Sequence, residues 1–202
     1  MGRAVVEPAH VPARLIVGIS GASGVVYGVR LLQALSDSGI ETHLVMSKAA
    51  ELTLGYETDH KPADVYALAD HHYKVKDIGA AIASGSFRTL GMAIVPCSVK
   101  SMSEIATGVT STLLSRAADV VLKERRRLVL QVRESPLHLG HLRTMTALTE
   151  MGAIIAPPMP AFYPMPQSVD DIVDNAVGRI LDLFDIDNVL AHRWRDSVSS
   201  PQ

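Results

Sequence analysis

Three glycines spaced three residues apart form a turn that could hold a phosphate. Gly18, Gly21 and Gly24 lie where an apolar run gives way to helical periodicity. Glycine permits a tight turn close to a ligand, and the free N–H groups of the following helix attract anions. Glycine turns also occur simply to pack a helix against a strand. The spacing differs from G-x-G-x-x-G, and no clear acidic residue ends the next strand, which favours a mononucleotide over NAD.

A second group of polar side chains follows an apolar run at 92–95. Ser98, Lys100 and Ser101 come shortly after this predicted strand. Parallel sheets bind their ligands at the carboxyl ends of the strands, so these side chains are candidate ligand contacts. Ser98 could equally cap the helix that follows. Cys97 has no histidine adjacent in the sequence, which favours a buried structural thiol over a nucleophile.

Several arginine and lysine side chains are spaced so that they could bind one anion together. Arg116 and Lys123 are seven residues apart in a predicted helix and therefore share one face. Arg133 and Glu134 follow another apolar run, which places a carboxylate among cations, an arrangement suited to proton transfer. The alternatives are solvated cations near a helix end and a surface Arg–Glu pair.

Arg179 falls on the apolar face of the last predicted helix. That face runs through 169–180, and Arg179 lies three residues after Ala176 and seven after Ile172. We expect a guanidinium there to need an anionic partner, because an unpaired buried charge is costly. A substrate phosphate or a local carboxylate would serve, and a side chain that reaches out to solvent is the alternative.

A pair of histidines raises the question of a metal. His138 and His141 are three residues apart near a predicted helix start. No third ligand of suitable spacing stands nearby in the sequence, so capping or solvated histidines are favoured over a zinc site. Metal catalysis is not indicated.

These candidate residues require a scaffold of alternating strands and helices. Each strand–helix–strand crossover makes its two strands parallel. The sequence therefore predicts an α/β fold with a doubly wound parallel sheet in three α/β/α layers. The predicted strands are 14–20, 41–46, 92–95, 128–132 and 153–156, and helices begin near Val25, Ser111 and Ser168. Residues 56–87 are expected to form loops and one or two short helices over the active face.

Composition limits the class of protein. The chain has 202 residues, 48% of them hydrophobic, so we expect one domain over 1–202, with flexible or oligomer-contacting ends at 1–13 and 195–202. A net charge of -2 provides no basic excess for nucleic acid or an anionic membrane. The single cysteine, Cys97, excludes an internal disulfide, and neither a signal peptide nor a membrane-spanning run is evident. These features favour the cytoplasm.

Several short motifs, taken together, match one protein family. They are GISGASGVVYG at 18–28, HLVMSKAA at 43–50, ASGS at 83–86, PCSVKS at 96–101, RAADVVLKERR at 116–126, Arg133-Glu134, Phe162-Tyr163 and Pro166-Gln167-Ser168. On these motifs the chain resembles the bacterial UbiX-type flavin prenyltransferases over about 14–194. One departure is Arg127, where we expect proline, and it concerns the local loop more than the chemistry.

The resemblance implies a Rossmann-like flavoprotein fold and a metal-independent transferase. The implied reaction joins a dimethylallyl group from dimethylallyl monophosphate to N5 and C6 of reduced FMN and releases phosphate. The product, prenylated FMN, serves a partner UbiD-type decarboxylase, a role connected with ubiquinone biosynthesis. The resemblance also suggests a homododecamer whose sites are shared between subunits.

The same motifs imply the site residues. The resemblance assigns FMN binding to Gly21, Ala22, Ser23, Ser47, Ser98, Val99, Lys100, Ser101 and Arg133. It assigns the prenyl phosphate to Tyr163 and Arg179, assisted by Ser84, Ser86, Arg116, Lys123 and Glu134, with Trp194 closing the site. The implied catalytic residues are Ser23, Lys123, Glu134 and Tyr163. Such a reaction needs positive charge around the departing phosphate and a π face for the allylic cation. Glu134 would pass a proton to that phosphate, and Ser23 would assist deprotonation at C6.

Two other functions stay open at this point. One is an FMN-dependent decarboxylase of cysteinyl substrates with the same fold. Those enzymes carry an asparagine-containing Pro-Ala-Ser-Ala-Asn-Thr-like segment where this chain has PCSVKS at 96–101, which weakens that alternative. The other is a non-catalytic FMN-binding subunit of an aromatic-acid decarboxylase, which needs no second phosphate site.

Overall fold

The computed structural model describes residues 12–194, in which strands alternate with helices. The strands are β1 (Arg14–Ile19), β2 (Glu41–Met46), β3 (His71–Tyr73), β4 (Gly91–Cys97), β5 (Arg127–Val132) and β6 (Ala153–Ile155). The helices are α1 (Val25–Leu35), α2 (Lys48–Glu57), α3 (Pro62–Tyr66), α4 (Val99–Thr107), α5 (Leu113–Lys123), α6 (Leu139–Glu150) and α7 (Val169–Asp182). Across this described part of the chain, no helix is both long and apolar enough to cross a membrane.

The strands form one sheet in the order β3-β2-β1-β4-β5-β6. The chain winds outward from β1 through β2 to β3, crosses over to β4 beside β1, and winds outward again to β6. Every strand pair is parallel, as the crossover connections require. The predicted doubly wound α/β fold is therefore confirmed.

Two apolar cores cover the two faces of the sheet. Alternate residues of β1 serve both, since Leu15, Val17 and Ile19 belong to the first core and Ile16 to the second. Helices α1, α2 and α7 cover the first core, and α4, α5 and α6 cover the second. The three predicted layers follow from this arrangement. Strands buried on both faces are continuous apolar runs, which is why they can be recognised in the sequence.

The stretch 56–87 contains a strand that the sequence did not reveal. Strand β3 pairs with β2 in the register His43↔His71. The Asp70 carboxylate fixes this pairing, because its Oδ2 accepts hydrogen bonds from N and Oγ1 of Thr42 at 2.7 and 2.8 Å. These hydrogen bonds lower the pKa of Asp70. β3 escapes recognition because it has only three, mostly exposed, residues and no apolar pattern.

The loop at 84–87 lies at the edge of the sheet where the strands begin. The centroid of the Phe87 ring is 4.9 Å from that of the His43 ring and 4.7 Å from the guanidinium carbon of Arg14, the first residue of β1. Helix α5 runs back across the sheet and ends at Lys123, just before β5 begins. Lys123 therefore shares this amino edge, whereas the glycine turn lies at the carboxyl edge. Within one chain, residues 84–87 therefore lie away from the glycine turn, whereas Glu57, at the other end of the 56–87 stretch, contacts that turn.

Arg179 lies outside the buried face of α7, contrary to the prediction. The buried residues of that face include Val173, Val177 and Ile180. The Arg179 side chain is 58% exposed, and its Nη1 donates a hydrogen bond to Oδ2 of Asp182 at 2.6 Å. The apolar stripe is narrower than the sequence pattern indicates, so the long side chain reaches solvent and a local carboxylate is its anionic partner.

Candidate functional site

A buried serine joins the carboxyl ends of β1 and β4. Ser20 is fully buried, and its Oγ donates to the carbonyl oxygen of Pro96 at 3.0 Å and accepts from N of Ser98 at 2.7 Å. These bonds bring the turn that starts at Gly21 next to the start of α4, as the predicted site requires. Ser20 is not among the residues predicted for the site, although a hydroxyl at the end of an apolar strand is a signal that the sequence offers.

Gly21 makes a close backbone approach to α2. A Cβ atom added at Gly21 would lie 2.3 Å from Cβ of Ala49, so only glycine fits without movement. Ser47 caps α2, because its Oγ accepts from N of Ala50 at 3.0 Å. The turn is exposed at Ser23, which leaves its backbone and hydroxyl accessible to a ligand.

The N-terminus of α1 is occupied by a carboxylate. Oε2 of Glu57 accepts hydrogen bonds from N of Gly24 and N of Val25 at 2.8 and 3.1 Å. A ligand phosphate at this helix end would therefore have to displace the Glu57 carboxylate. The neighbouring α4 is better suited, because the first-turn N–H groups at Val99 and Lys100 have no acceptor within their helix.

The α4 segment confirms that Ser98 caps the helix, whereas ligand contact by its polar residues stays a prediction. Ser98 caps α4, since its Oγ accepts from N of Ser101 at 3.3 Å, and it also lies beside the glycine turn. Lys100 pairs with Glu104 at 3.3 Å and remains largely exposed. Cys97 is completely buried, and burial raises the pKa of its thiol to about 12, as expected of a structural cysteine.

The end of β5 brings a cation and a carboxylate to this carboxyl edge. N of Arg133 donates to the carbonyl oxygen of Cys97 at 3.0 Å, which holds the two strand ends together. Arg133 also lies near Tyr27 of α1, whose pKa is raised by burial against the opposing effect of that guanidinium. Glu134 is exposed, and its Oε1 accepts from N of Ser135 at 2.9 Å.

A second group of predicted residues lies at the amino edge. The Oγ atoms of Ser84 and Ser86 are 2.9 Å apart. Arg126 fixes their loop by donating to the carbonyl oxygens of Gly85 and Phe87 at 2.7 and 2.6 Å. A Cβ atom added at Gly85 would lie 2.8 Å from Nζ of Lys123, so this lysine contacts the same loop.

The two cations of α5 each have an acidic neighbour. Nη1 of Arg116 donates to Oδ2 of Asp119 at 2.6 Å. Lys123 pairs with Glu124, and this hydrogen bond lowers the pKa of the Glu124 carboxyl. Both cations are partly exposed, so the predicted shared face can receive an anion only in competition with these carboxylates.

A third group joins α7 to the segments around Tyr163 and Trp194. The hydroxyl of Tyr163 donates to the carbonyl oxygen of His192. The Tyr163 and Trp194 rings meet edge to face, with centroids 5.2 Å apart. Arg179 enters this group through Asp182, which also accepts a hydrogen bond from Arg193 at 2.8 Å.

Histidines form hydrogen-bonded clusters. Nδ1 of His138 accepts from N of Gly140 at 3.0 Å and so caps α6, as predicted. Over residues 12–194, one group of three residues has metal-ligand atoms within 4.8 Å of one another: Glu41, His43 and His71. Oε1 of Glu41 already accepts a hydrogen bond from Nε of Arg14 at 2.9 Å. The positive charge of this guanidinium would repel a metal ion bound to the same group.

Comparison with known proteins identifies the family. The Flavoprotein family profile matches residues 6–181. The flavin prenyltransferase UbiX of Escherichia coli K12 is 63% identical over 174 residues, which cover 86% of this chain and 92% of that protein. The chain belongs to the UbiX-type flavin prenyltransferase family. All three groups of residues therefore have to be interpreted as parts of a UbiX-type protein.

Solved structures of UbiX-type proteins share the fold closely. AnUbiX (PadA1), in complex with FMN and dimethylallyl pyrophosphate, has a TM-score of 0.90 and 50% identity, over 92% of this chain and 98% of that one. A dodecameric FMN-dependent UbiX-like decarboxylase from Escherichia coli O157:H7 has a TM-score of 0.88 and 52% identity, over 90% of this chain and 99% of that one.

The alternative family of cysteine decarboxylases shares the fold alone. The FMN-dependent cysteine decarboxylase SpaF has a TM-score of 0.60 at 18% identity, over 72% of this chain and 83% of that one. The similarity in sequence is therefore to the UbiX-type proteins, in agreement with the PCSVKS segment at 96–101.

Proposed function

We propose that this protein is a flavin prenyltransferase. It transfers the dimethylallyl group of dimethylallyl monophosphate to N5 and C6 of reduced FMN and releases phosphate. The observation that carries this proposal is the presence of two separate groups of polar side chains that could each bind an anion, one around the glycine turn and one around Arg179 and Tyr163. A carrier of FMN needs the first group only.

The carboxyl edge would hold FMN. The close approach at Gly21 forms a cradle that a side chain would fill, and the exposed Ser23 borders it. Hydroxyls and first-turn N–H groups at Ser47 and 98–101 suit a phosphate, together with the guanidinium of Arg133. Gly21, Ala22 and Ser23 would line the ring. Bound reduced FMN supplies the ring atoms that accept the prenyl group and the π face that stabilises an allylic cation.

Positive charge promotes departure of the phosphate. Breaking the allylic carbon–oxygen bond of the dianionic ester gives the bonding electron pair to the phosphate, which leaves as the dianion HPO4²⁻ once it takes up one proton. Arg116, Lys123 and Arg179 would stabilise this negative charge together with the hydroxyls of Tyr163, Ser84 and Ser86. Glu134 would deliver a proton to that phosphate, since it is exposed at the edge where FMN would bind. Ser23 would assist loss of the proton at C6. Trp194 would cover the site beside Tyr163.

A complete site would require more than one subunit. The six residues of β1 span about 20 Å, so Lys123 and the glycine turn lie at opposite edges of one chain. The loop before α7 exposes large apolar side chains, with Met159, Phe162 and Met165 each more than 70% exposed. Such a surface suits a subunit interface. We therefore propose a homododecamer, as in the solved relative, with residues 1–202 as a single flavoprotein domain.

The product has a cellular destination in this proposal. Prenylated FMN would pass to a UbiD-type decarboxylase, and the reaction would take place in the cytoplasm. Support for this part comes from the sequence, through its family motifs and its single cysteine. Co-expression with a UbiD-type apoenzyme would test it, because decarboxylase activity should appear only when both proteins are present.

Anaerobic incubation with reduced FMN and dimethylallyl monophosphate tests the proposed activity. We expect a flavin that has gained one five-carbon unit by mass spectrometry, with release of one phosphate per flavin. Incubation without the prenyl substrate is the control. If no such flavin forms, the proposal is wrong.

Substitution of Arg179 separates the enzyme from a carrier. Arg179→Ala should lower turnover at least about 100-fold, because a charged ligand of the departing phosphate is lost, while FMN affinity stays largely unchanged. Arg143→Ala removes an exposed arginine from α6 and is the matched control. If Arg179→Ala supports the partner decarboxylase as well as the unmodified protein does, the non-catalytic FMN-binding subunit is favoured.

A further inference from the structure

One carboxylate connects three parts of the protein. Oδ2 of Asp182 accepts from Nη1 of Arg179 at 2.6 Å, and its Oδ1 accepts from Nδ2 of Asn188 at 2.9 Å and from Nη2 of Arg193 at 2.8 Å. The Asp182 side chain is 14% exposed, whereas the side chains of the two arginines are 58% and 44% exposed. A largely buried carboxylate thus holds two exposed guanidinium groups side by side.

The segment that follows α7 is fixed against that helix. A Cβ atom added at Gly178 would lie 2.3 Å from N of Ala191, so the segment touches the helix backbone. Oδ1 of Asn188 accepts from N of Ala191 at 3.0 Å, and Oδ1 of Asn175 accepts from N of His192 at 3.1 Å. This segment then reaches the aromatic pair, because the carbonyl oxygen of His192 accepts from the Tyr163 hydroxyl.

We propose that Asp182 is a positioning residue for the prenyl phosphate. This inference rests on the proposed function, in which Arg179 and Tyr163 bind that phosphate. Asp182 occupies Nη1 of Arg179 and thereby orients the rest of its planar guanidinium before the substrate arrives. Through Arg193 and Asn188 it also ties Arg179 to the segment that carries the Tyr163 contact. A preoriented guanidinium loses less conformational freedom when it binds phosphate.

Binding to the oxidised, FMN-loaded full chain tests this role. The transfer needs reduced FMN, so calorimetric titration with dimethylallyl monophosphate, and separately with inorganic phosphate, measures affinity without turnover. Asp182→Asn should weaken binding of dimethylallyl monophosphate about tenfold, with FMN affinity unchanged. Asp182→Glu should recover most of the affinity. Unchanged or tighter binding in Asp182→Asn would overturn the inference, because tighter binding is what loss of a mere counter-ion produces.

Asp185→Asn is the matched control. Asp185 lies three residues after Asp182 in the chain. It pairs with Arg127 at 2.9 Å, at the start of β5. Its loss should leave both affinities unchanged. If Asp182→Asn fails to assemble, Asp182→Ser carries the same expectation. A crystal structure of the unmodified protein with inorganic phosphate adds a test, since the inference fails if Arg179 binds phosphate after leaving Asp182.

The two proposals can fail separately. Product formation by the unmodified protein, combined with unchanged phosphate binding in Asp182→Asn, would contradict the role of Asp182 alone. The opposite outcome is that no flavin gains a five-carbon unit, while Asp182→Asn still binds dimethylallyl monophosphate more weakly. That outcome would contradict the proposed activity and leave Asp182 as a residue that positions an anion-binding site.

Discussion

At the scale of single residues, Gly21 matters both for packing against α2 and for the carboxyl edge, where FMN is proposed to bind. A methyl group at this position would lie 2.3 Å from Cβ of Ala49, so Gly21→Ala must push the turn away from α2. We expect it to cost about 1–3 kcal/mol in free energy of unfolding and to weaken FMN binding. Urea unfolding and flavin fluorescence titration measure the two effects.

Gly55→Ala is the control for this substitution. Gly55 lies within the same helix α2, and nothing stands within 4 Å of an added Cβ. Alanine there should be neutral or stabilising by up to about 1 kcal/mol, because glycine is unfavourable in a helix. Equal losses of FMN affinity in both variants would show that the contact with Ala49 is not the cause.

Whether the sequence predicts the environment of a residue depends on how local the contacts of that residue are. Cys97 could be assigned as structural because no histidine is adjacent to it in the sequence, and it is completely buried. Arg179 could not be placed, because its exposure depends on the width of the buried stripe and on a pairing with Asp182. Glu57 was missed because its contact with the N-terminus of α1 joins residues more than thirty positions apart.

At the scale of elements, Arg126 fixes the loop at 84–87. Its guanidinium donates to two carbonyl oxygens of that loop, of Gly85 and Phe87, and a lysine has no fork with which to reach both. Arg126→Lys should cost about 1–2 kcal/mol of local stability and raise the KM for the prenyl substrate with little change in FMN affinity. Hydrogen exchange at 84–87 and steady-state kinetics measure these changes.

The neighbouring Arg125 provides the comparison for that loop. Arg125 is exposed, and its backbone has a φ of 56. Arg125→Lys should leave exchange at 84–87 unchanged, because the two carbonyl contacts belong to Arg126. Equal acceleration of exchange in both lysine variants would mean that charge near the loop, and not the two hydrogen bonds, orders it.

The stability of the protein should depend on pH through His43 in β2. His43 is buried, and burial lowers its pKa below the ordinary value of 6.5. Its Nε2 contacts Oε1 of Glu41 and its Nδ1 contacts the Tyr73 hydroxyl, with His71 and Arg14 packed beside it. A carboxylate only accepts hydrogen bonds, so Nε2 carries the proton of the neutral ring.

This lowered pKa has a definite sign for stability. Below about pH 6.5 the unfolded chain gains a proton at His43 that the folded protein resists, so stability falls as the pH drops toward the folded pKa. Between pH 7.5 and 5.5 we expect a loss of up to about 1 kcal/mol from this group in urea unfolding. His43→Gln should remove most of that loss, whereas His60→Gln, at an exposed position, should not. Identical pH dependence in all three proteins would contradict this assignment.

At the scale of the whole molecule, the sequence predicts the layers better than the position of each site residue. Buried parallel strands can be recognised as apolar runs in the sequence, and five of the strands were predicted close to their observed bounds. The short edge strand β3 carries no such signal. The motifs likewise predict Lys123 and Ser84 as site residues, but only the path of α5 places them at the amino edge. Sites shared between subunits cannot be assembled from one chain.

Mixing two inactive variants tests whether subunits share the site. Glu134 lies at the carboxyl edge and Lys123 at the amino edge, so one active site that uses both should take them from different chains. Glu134→Gln and Lys123→Ala should each lower turnover at least about 100-fold. In oligomers co-assembled from equal amounts of the two variants, about one quarter of the sites would receive both native residues by random mixing. We therefore expect turnover to recover to about one quarter of the unmodified level, measured by formation of the five-carbon flavin. Oligomers of each variant alone, mixed without dissociation, should stay inactive, and a co-assembled sample that also stays inactive would place both residues in a site made by one chain.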